Sequence, residues 1–198
     1  LLVAKAAADA AGGRPVWWLP READAERMLA RELREGDLLL TLGGSQRGDF
    51  DLVDDLLSGA RGHMIFRGIT ANYARSMIFG RFGRTPLCGL PGSPMTSFVA
   101  FEVCVRPAIW KLAGRRRLAP VRLEATLVGS LPSAAGRTHI QPVWVEARAE
   151  GLIAAPLDVQ KAPNLPAQTL ANGLIRRSPG SPACQAGQRV WVEIIETP

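Results

Sequence analysis

Two carboxylates, Asp49 and Asp51, stand directly after a glycine-rich stretch that reads T-L-G-G-S-Q-R-G from Thr41 to Gly48. Gly43, Gly44 and Gly48 permit a tight turn and close approach of a ligand to the main chain, while Ser45, Gln46 and Arg47 supply donors. This is a setting for a phosphate or another small anion. Carboxylates beside such a turn repel the anion unless a cation or a proton compensates, so Asp49 and Asp51 point to Mg²⁺, another metal species or acid–base work. Capping of the helix that follows is the competing use of either residue. A second turn, G-L-P-G-S-P from Gly89 to Pro94, also follows an apolar run and precedes a helix pattern, with Ser93 placed as N-cap and Pro94 as first helical residue. Neither turn matches the P-loop or the dinucleotide fingerprint.

The elements that must position these turns are legible in the hydrophobic pattern. Leu38-Leu39-Leu40 with Thr41 and Leu42 is a short continuous apolar run, as expected of a strand covered on both faces. Leu52, Val53, Leu56 and Leu57 give the helix after Asp51 its inner face. Upstream, the pattern predicts a helix over residues 1–11, a strand at Val16–Leu19 and a helix from about Arg21 to Arg34 ended by Gly36. Met64-Ile65-Phe66 is a further strand, and Met77–Phe82 with Pro86–Leu90 reads as a hairpin. The long helix after Pro94 places Phe98, Phe101, Val105, Ile109 and Leu112 on one face, and Pro107 is expected to kink it. Alternating helices and strands predict an α/β domain with a mostly parallel sheet, and both turns then lie at the carboxyl ends of strands, where open α/β sheets bind ligands.

Beyond a linker at residues 115–119 the pattern changes. Short strands at Val121–Val128, His139–Ala147, Leu152–Pro156, Gly173–Arg176 and Arg189–Glu196 follow one another without helices, which predicts a small antiparallel sheet or barrel. The domains are therefore expected at residues 1–114 and 120–198.

Composition narrows the function classes. At 198 residues and 47% hydrophobic content the chain can form packed cores. The net charge of +6 is not arranged as a basic face with interleaved aromatics, so nucleic acid is disfavoured and small anions account better for the surplus. Cys88, Cys104 and Cys184 lack C-x-x-C spacing and suit a reducing cytoplasm rather than a disulfide framework or zinc. His63 and His139 are isolated and read as packed or solvated side chains. No apolar run is long enough to span a membrane. The first residues lack the features of a signal peptide, and an opening inside a helix pattern without Met is expected of part of a longer chain.

Taken together, G-D-L-L-L-T-L-G-G-S-Q-R-G-D-F-D (Gly36–Asp51), F-G-R-F-G-R-T-P-L-C-G-L-P-G-S-P (Phe79–Pro94), G-R-T-H (Gly136–His139) and A-N-G-L-I (Ala171–Ile175) resemble the molybdopterin molybdenumtransferases, the family of MoeA and the gephyrin E domain. The resemblance runs through nearly the whole chain in order. It implies a three-layer α/β/α MogA-like molybdopterin-binding domain, lacking its first strand, followed by a small all-β barrel. It also implies a cytoplasmic homodimer that inserts molybdenum from molybdate into adenylylated molybdopterin with Mg²⁺, in company with a MogA-like adenylyltransferase.

On that resemblance Asp51 takes the place of the functional aspartate, Asp49 and Asp51 hold metal, and Arg75 neutralises ligand charge. Thr41, Gly43, Gly44, Ser45, Gly48, Pro91, Gly92, Ser93, Pro94 and Ser97 would line the substrate. The family's K-P-G-K-P falls on Asn72-Tyr73-Ala74-Arg75-Ser76, so the first lysine is absent and the second is Arg75. These departures admit another reading, a binding or dimerising scaffold without catalysis.

Overall fold

The computed structural model describes residues 29, 31, 33–43, 52–157 and 171–196. The helix expected over residues 1–11 and the strand at Val16–Leu19 lie outside them, as does most of the helix from Arg21. By internal packing the chain divides into two units, Leu1–Ile69 with Ser76–Arg116 and Thr70–Arg75 with Arg117–Pro198.

The first unit is built on a sheet in the order β1-β4-β3-β2, made of β1 (Leu39–Leu42), β2 (Gly62–Arg67), β3 (Ile78–Phe82) and β4 (Thr85–Leu90). β1 runs parallel to β4 with Leu39 opposite Leu87 and Leu42 opposite Leu90. The other two pairings are antiparallel. Among the described residues the sheet is therefore not mostly parallel as the alternation of elements suggested. The reason is local: Gly83, at φ +60°, lets two residues turn β3 into β4, and a link that short can join only antiparallel neighbours.

Helix α1 (Leu52–Ser58) covers one face of this sheet. Val53 and Leu57 pack with Ile78 and Leu87, while Leu56 packs with Leu29 and Phe82. Burying a side chain of the size of Val53, which is only 1% exposed, contributes about 1.5–3 kcal/mol. Glycine sets the approach distances. A Cβ on Gly62 would lie 2.1 Å from the Leu56 carbonyl, and one on Gly80 2.6 Å from the His63 carbonyl.

The long helix forms as α2 (Pro94–Ala100), one π-helical turn (Phe101–Val105) and α3 (Arg106–Leu112). The Arg106 N–H reaches back five residues to Phe101, and Pro107, one position on, has no N–H to continue the regular ladder. The expected irregularity is thus a widened turn just before the proline. Gly114, at φ +74°, ends the helix: its N–H donates to Lys111 and the Arg115 N–H to Trp110. The Arg115 guanidinium lies over the Trp110 ring at 5.4 Å, in the place where such an ending usually puts an apolar contact.

The second unit is a closed barrel, β5-β7-β6-β8-β9, made of β5 (Arg122–Leu127), β6 (His139–Arg148), β7 (Gly151–Pro156), β8 (Gly173–Arg177) and β9 (Arg189–Ile194). All five strands fall where the sequence pattern put them, but the barrel is not wholly antiparallel as expected, because β5 and β7 run parallel with Thr126 opposite Ile153. Ala125, Leu127, Val143, Val145, Ala154, Ile175 and Val192 fill the interior. Closure leaves no unpaired edge, which suits a core this small. Gly173 is required by packing, because a Cβ there would sit 2.6 Å from Val192 Cγ1 and 2.9 Å from Val145 Cγ2.

Asn172 and Glu193, two buried polar side chains of the barrel, are paired. The Asn172 amide accepts from Val145 N–H at 2.6 Å and donates to its carbonyl at 2.8 Å. Glu193, 5% exposed, accepts from Arg122 at 2.6 Å and Arg176 at 2.9 Å.

Candidate functional site

The apolar run of β1 ends at Gly43, whose φ of +80° turns the chain out of the sheet. Before it leaves, the Gly43 N–H donates to the Leu90 carbonyl at 3.0 Å, so β1 and β4 stay paired to their last residues and exit at the same edge. The two turns are consequently in contact. A Cβ on Gly92 would lie 3.5 Å from the Gly43 Cα, and one on Gly43 3.9 Å from the Gly92 Cα. The sequence placed each turn at the carboxyl end of a strand; the structure makes those strands parallel neighbours.

Around this contact, Pro91 is buried while Gly92, Ser93 and Pro94 are exposed. Ser93 occupies the N-cap position with extended backbone, φ −71° and ψ 128°, but its hydroxyl makes no cap hydrogen bond. Its carbonyl accepts from the Ser97 N–H at 2.8 Å. The Ser97 hydroxyl donates to the Pro91 carbonyl and, at 3.0 Å, to that of Ser93. It braces the turn from behind. Thr41, opposite Gly89 in the ladder, has a buried Oγ1 with no hydrogen-bond partner, an unusual state for a buried hydroxyl. The main-chain N–H groups at the start of α2 and the two glycines in contact suit an anion held largely by backbone.

Gly44, Ser45, Gly48, Asp49 and Asp51 lie outside the described residues. Among the described residues there is no cluster of three or more His, Cys, Asp or Glu side chains that could hold a metal ion.

Arg75 belongs to the segment Thr70–Arg75, which sequence order assigns to the first domain but which packs with the barrel. The attachment is made by backbone pairing and by the Asn72 side chain. Ala71 bridges Thr138, the Asn72 N–H donates to Thr138 at 3.1 Å, and Thr138 N–H donates to Thr70 at 3.1 Å. The Asn72 side chain donates to the Ile140 carbonyl at 2.9 Å and accepts from its N–H at 2.8 Å. No local spacing marks this pairing, since 68 residues separate the two partners. Ala74 is buried at φ +66°, and Arg75 beside it is exposed.

Among the described residues, two groups have displaced acidity. Burial, with a smaller contribution from Cys104, pushes the Cys88 thiol up to about 12, which makes it a core thiol rather than a nucleophile. His139 is held below its ordinary value by burial and by Arg177 and Arg137, and its Nδ1 is buried without a partner. It stands in the barrel unit, at the first residue of β6.

Parallel strands β1 and β4 leaving one edge of an α/β sheet, with a five-stranded barrel on the same chain, define an α/β protein with an appended β domain. Residues 20–111 match the family described as "Probable molybdopterin binding domain", and residues 124–195 match the "MoeA C-terminal region (domain IV)". The chain belongs to the MoeA family. It is 26% identical over 170 residues to a molybdopterin molybdenumtransferase of Staphylococcus epidermidis, covering 86% of this chain and 41% of that protein. With a Staphylococcus aureus protein of the same name the identity is 23% over 171 residues, with the same coverage.

Among solved structures, a molybdopterin biosynthesis MoeA protein from Pyrococcus horikosii superimposes with a TM-score of 0.76 at 20% identity, covering 99% of this chain and 47% of that one. A molybdenum cofactor biosynthesis protein from Pyrococcus furiosus gives 0.70 at 21%, covering 98% and 63%. At such identities these structures speak for the fold alone. The chain spans less than half the length of the curated relatives it matches. No described helix is long and apolar enough to cross a membrane.

Proposed function

We propose that the chain acts in molybdenum cofactor biosynthesis by binding molybdopterin, or its adenylate, at the paired glycine turns. The observation that carries this reading is the contact of Gly43 with Gly92 at the carboxyl edge of β1 and β4. In this reading Thr41, Gly43, Gly44, Ser45, Gly48, Pro91, Gly92, Ser93 and Pro94 hold the anionic end of the ligand through backbone and hydroxyl groups. Asp49 and Asp51 hold Mg²⁺ or face molybdate, with Mg²⁺ neutralising the charge that ligand and carboxylates would otherwise set against one another. Arg75 supplies a permanent cation. The reaction is insertion of molybdenum into the pterin dithiolene with release of AMP, in a homodimer served by a MogA-like adenylyltransferase.

Calorimetric titration of the full-length protein with molybdopterin tests the assignment: Asp51→Ala and Arg75→Ala each weaken binding, and unchanged affinity in both would sink it. A non-catalytic scaffold is the second reading, favoured by the amide of Asn72 where the family has its first lysine. Molybdate-dependent release of AMP by the full-length protein separates the two, because measurable turnover excludes the scaffold.

A further inference from the structure

We propose that β2 is an open docking edge, which takes up an extended, acidic segment of a partner protein as an added strand. All the residues involved belong to the first unit. β2 ends the order β1-β4-β3-β2, so among the described residues it has a neighbouring strand on one side only. The phase of its pairing shows which main-chain groups are left over. The Gly83 N–H donates to the Arg61 carbonyl at 2.7 Å, and the alternation of an antiparallel ladder then bonds His63 to Arg81 and turns the N–H and carbonyl of Met64 away from β3. The Gly62 N–H faces the same way and is taken by the Gly59 carbonyl at 2.9 Å. Met64 thus presents a donor and an acceptor at the edge, as strand addition requires.

Apolar surface lies beside these groups. Ile65 sits at the bulge between Met64 and Phe66 and is 54% exposed, while Phe66 is 39% exposed with its ring resting on Phe79 at 5.5 Å. Exposed apolar side chains on an open edge are what an added strand buries. Arg61, His63, Arg81 and Arg84 surround the edge with exposed cations, His63 directly opposite Arg81, and none of the four is in an ion pair with a described carboxylate. The carboxylate of Asp54 is engaged by Arg67.

Charge decides between occupants. A second copy laid edge to edge would set these cations against their own counterparts, which is unfavourable, whereas glutamate or aspartate side chains on the added strand meet them favourably. A bulge and edge charges are also how strands resist pairing with themselves, so here they narrow the choice of partner while the Met64 groups stay open.

Hydrogen exchange in the full-length protein, read by NMR at the Met64 amide, tests this with a synthetic peptide of alternating glutamate and valine. The amide should exchange quickly in the protein alone and become protected when the peptide is added. A lysine–valine peptide should give no protection, and neither should the glutamate–valine peptide N-methylated at every residue, which keeps its charge but has no N–H to donate. Arg81→Glu, at an exposed position, should melt as the wild type does and weaken peptide binding about tenfold. Should it fail to do so, Arg84→Glu in the turn is read in its place.

Equal protection by both charged peptides, or unchanged affinity in the glutamate variant, overturns the acidic partner. Protection by the N-methylated peptide, or by no peptide, overturns the docking edge. Protection already present in the protein alone overturns it too: if independent of concentration, the chain itself covers β2, and if rising with concentration, a second copy does. None of these outcomes involves the glycine turns, so the proposal stands or falls separately from molybdopterin binding.

Discussion

Gly43 and Gly92 touch across the carboxyl edge of the first unit, with the Gly92 Cβ position 3.5 Å from the Gly43 Cα. Their roles differ, and alanine should distinguish them. Gly43 adopts φ +80°, which an alanine enters at a cost of about 1–2 kcal/mol, so Gly43→Ala lowers stability in a denaturant titration. Gly92 has an ordinary backbone, and 3.5 Å is normal van der Waals contact. Gly92→Ala should melt within a degree or two of the wild type yet bind molybdopterin more weakly, since its methyl group occupies space beside the main chain. Unchanged affinity in Gly92→Ala would remove the turn contact from the site.

Ala74 offers the converse experiment. It is buried at φ +66°, where glycine is at ease, so Ala74→Gly should raise stability by about 0.5–1 kcal/mol after allowing for the added freedom of the unfolded chain. Equilibrium unfolding in urea measures this. A loss of stability would mean that the alanine methyl packs better than its backbone is strained.

The barrel depends on Asn172 in the way the segment 70–75 depends on Asn72. Asn172→Ala strands the N–H and carbonyl of Val145, itself 1% exposed, and should cost about 2–4 kcal/mol. Gly173→Ala forces a methyl group to within 2.6 Å of Val192 Cγ1 and should cost about 1–3 kcal/mol by overpacking. Both are read by thermal melting. A neutral Gly173→Ala would show that the valines can give way.

His139 predicts a pH dependence. Its folded-state value lies below the ordinary 6.5, so near and below pH 6.5 the unfolded chain binds a proton that the folded chain resists. The stabilising contribution is complete above pH 6.5 and is lost as pH falls from 6.5 through the depressed folded value. His139→Gln should flatten this part of the stability–pH curve, and a curve of unchanged shape would assign the dependence elsewhere.

Cys88 should be inert. With its thiol pushed up to about 12 and only 2% of its surface exposed, it carries almost no thiolate at pH 8. Iodoacetamide should leave it unmodified in the folded protein and label it after unfolding, as peptide mass analysis can follow. Rapid labelling in the native state would contradict its place in the core.

Much of this molecule is written in local pattern. Apolar alternation between glycine and proline breaks located all five barrel strands, because burial on one face of a strand dictates side-chain type at short range, and the continuous run at Leu38–Leu40 located β1, although β1 is half-buried with Leu42 exposed rather than covered on both faces. Gly43 and Gly92 were visible for a related reason: a φ above zero at the first, and the close backbone approach between the two, both select glycine. Pairing was another matter. That β1 lies beside β4 and that Asn72 meets Ile140 across 68 residues were decided by tertiary structure, whereas the β3–β4 hairpin was already legible in its two-residue turn. Such contacts follow from how the whole chain collapses, and an asparagine that clamps a distant strand has the same local sequence signature as one that faces water.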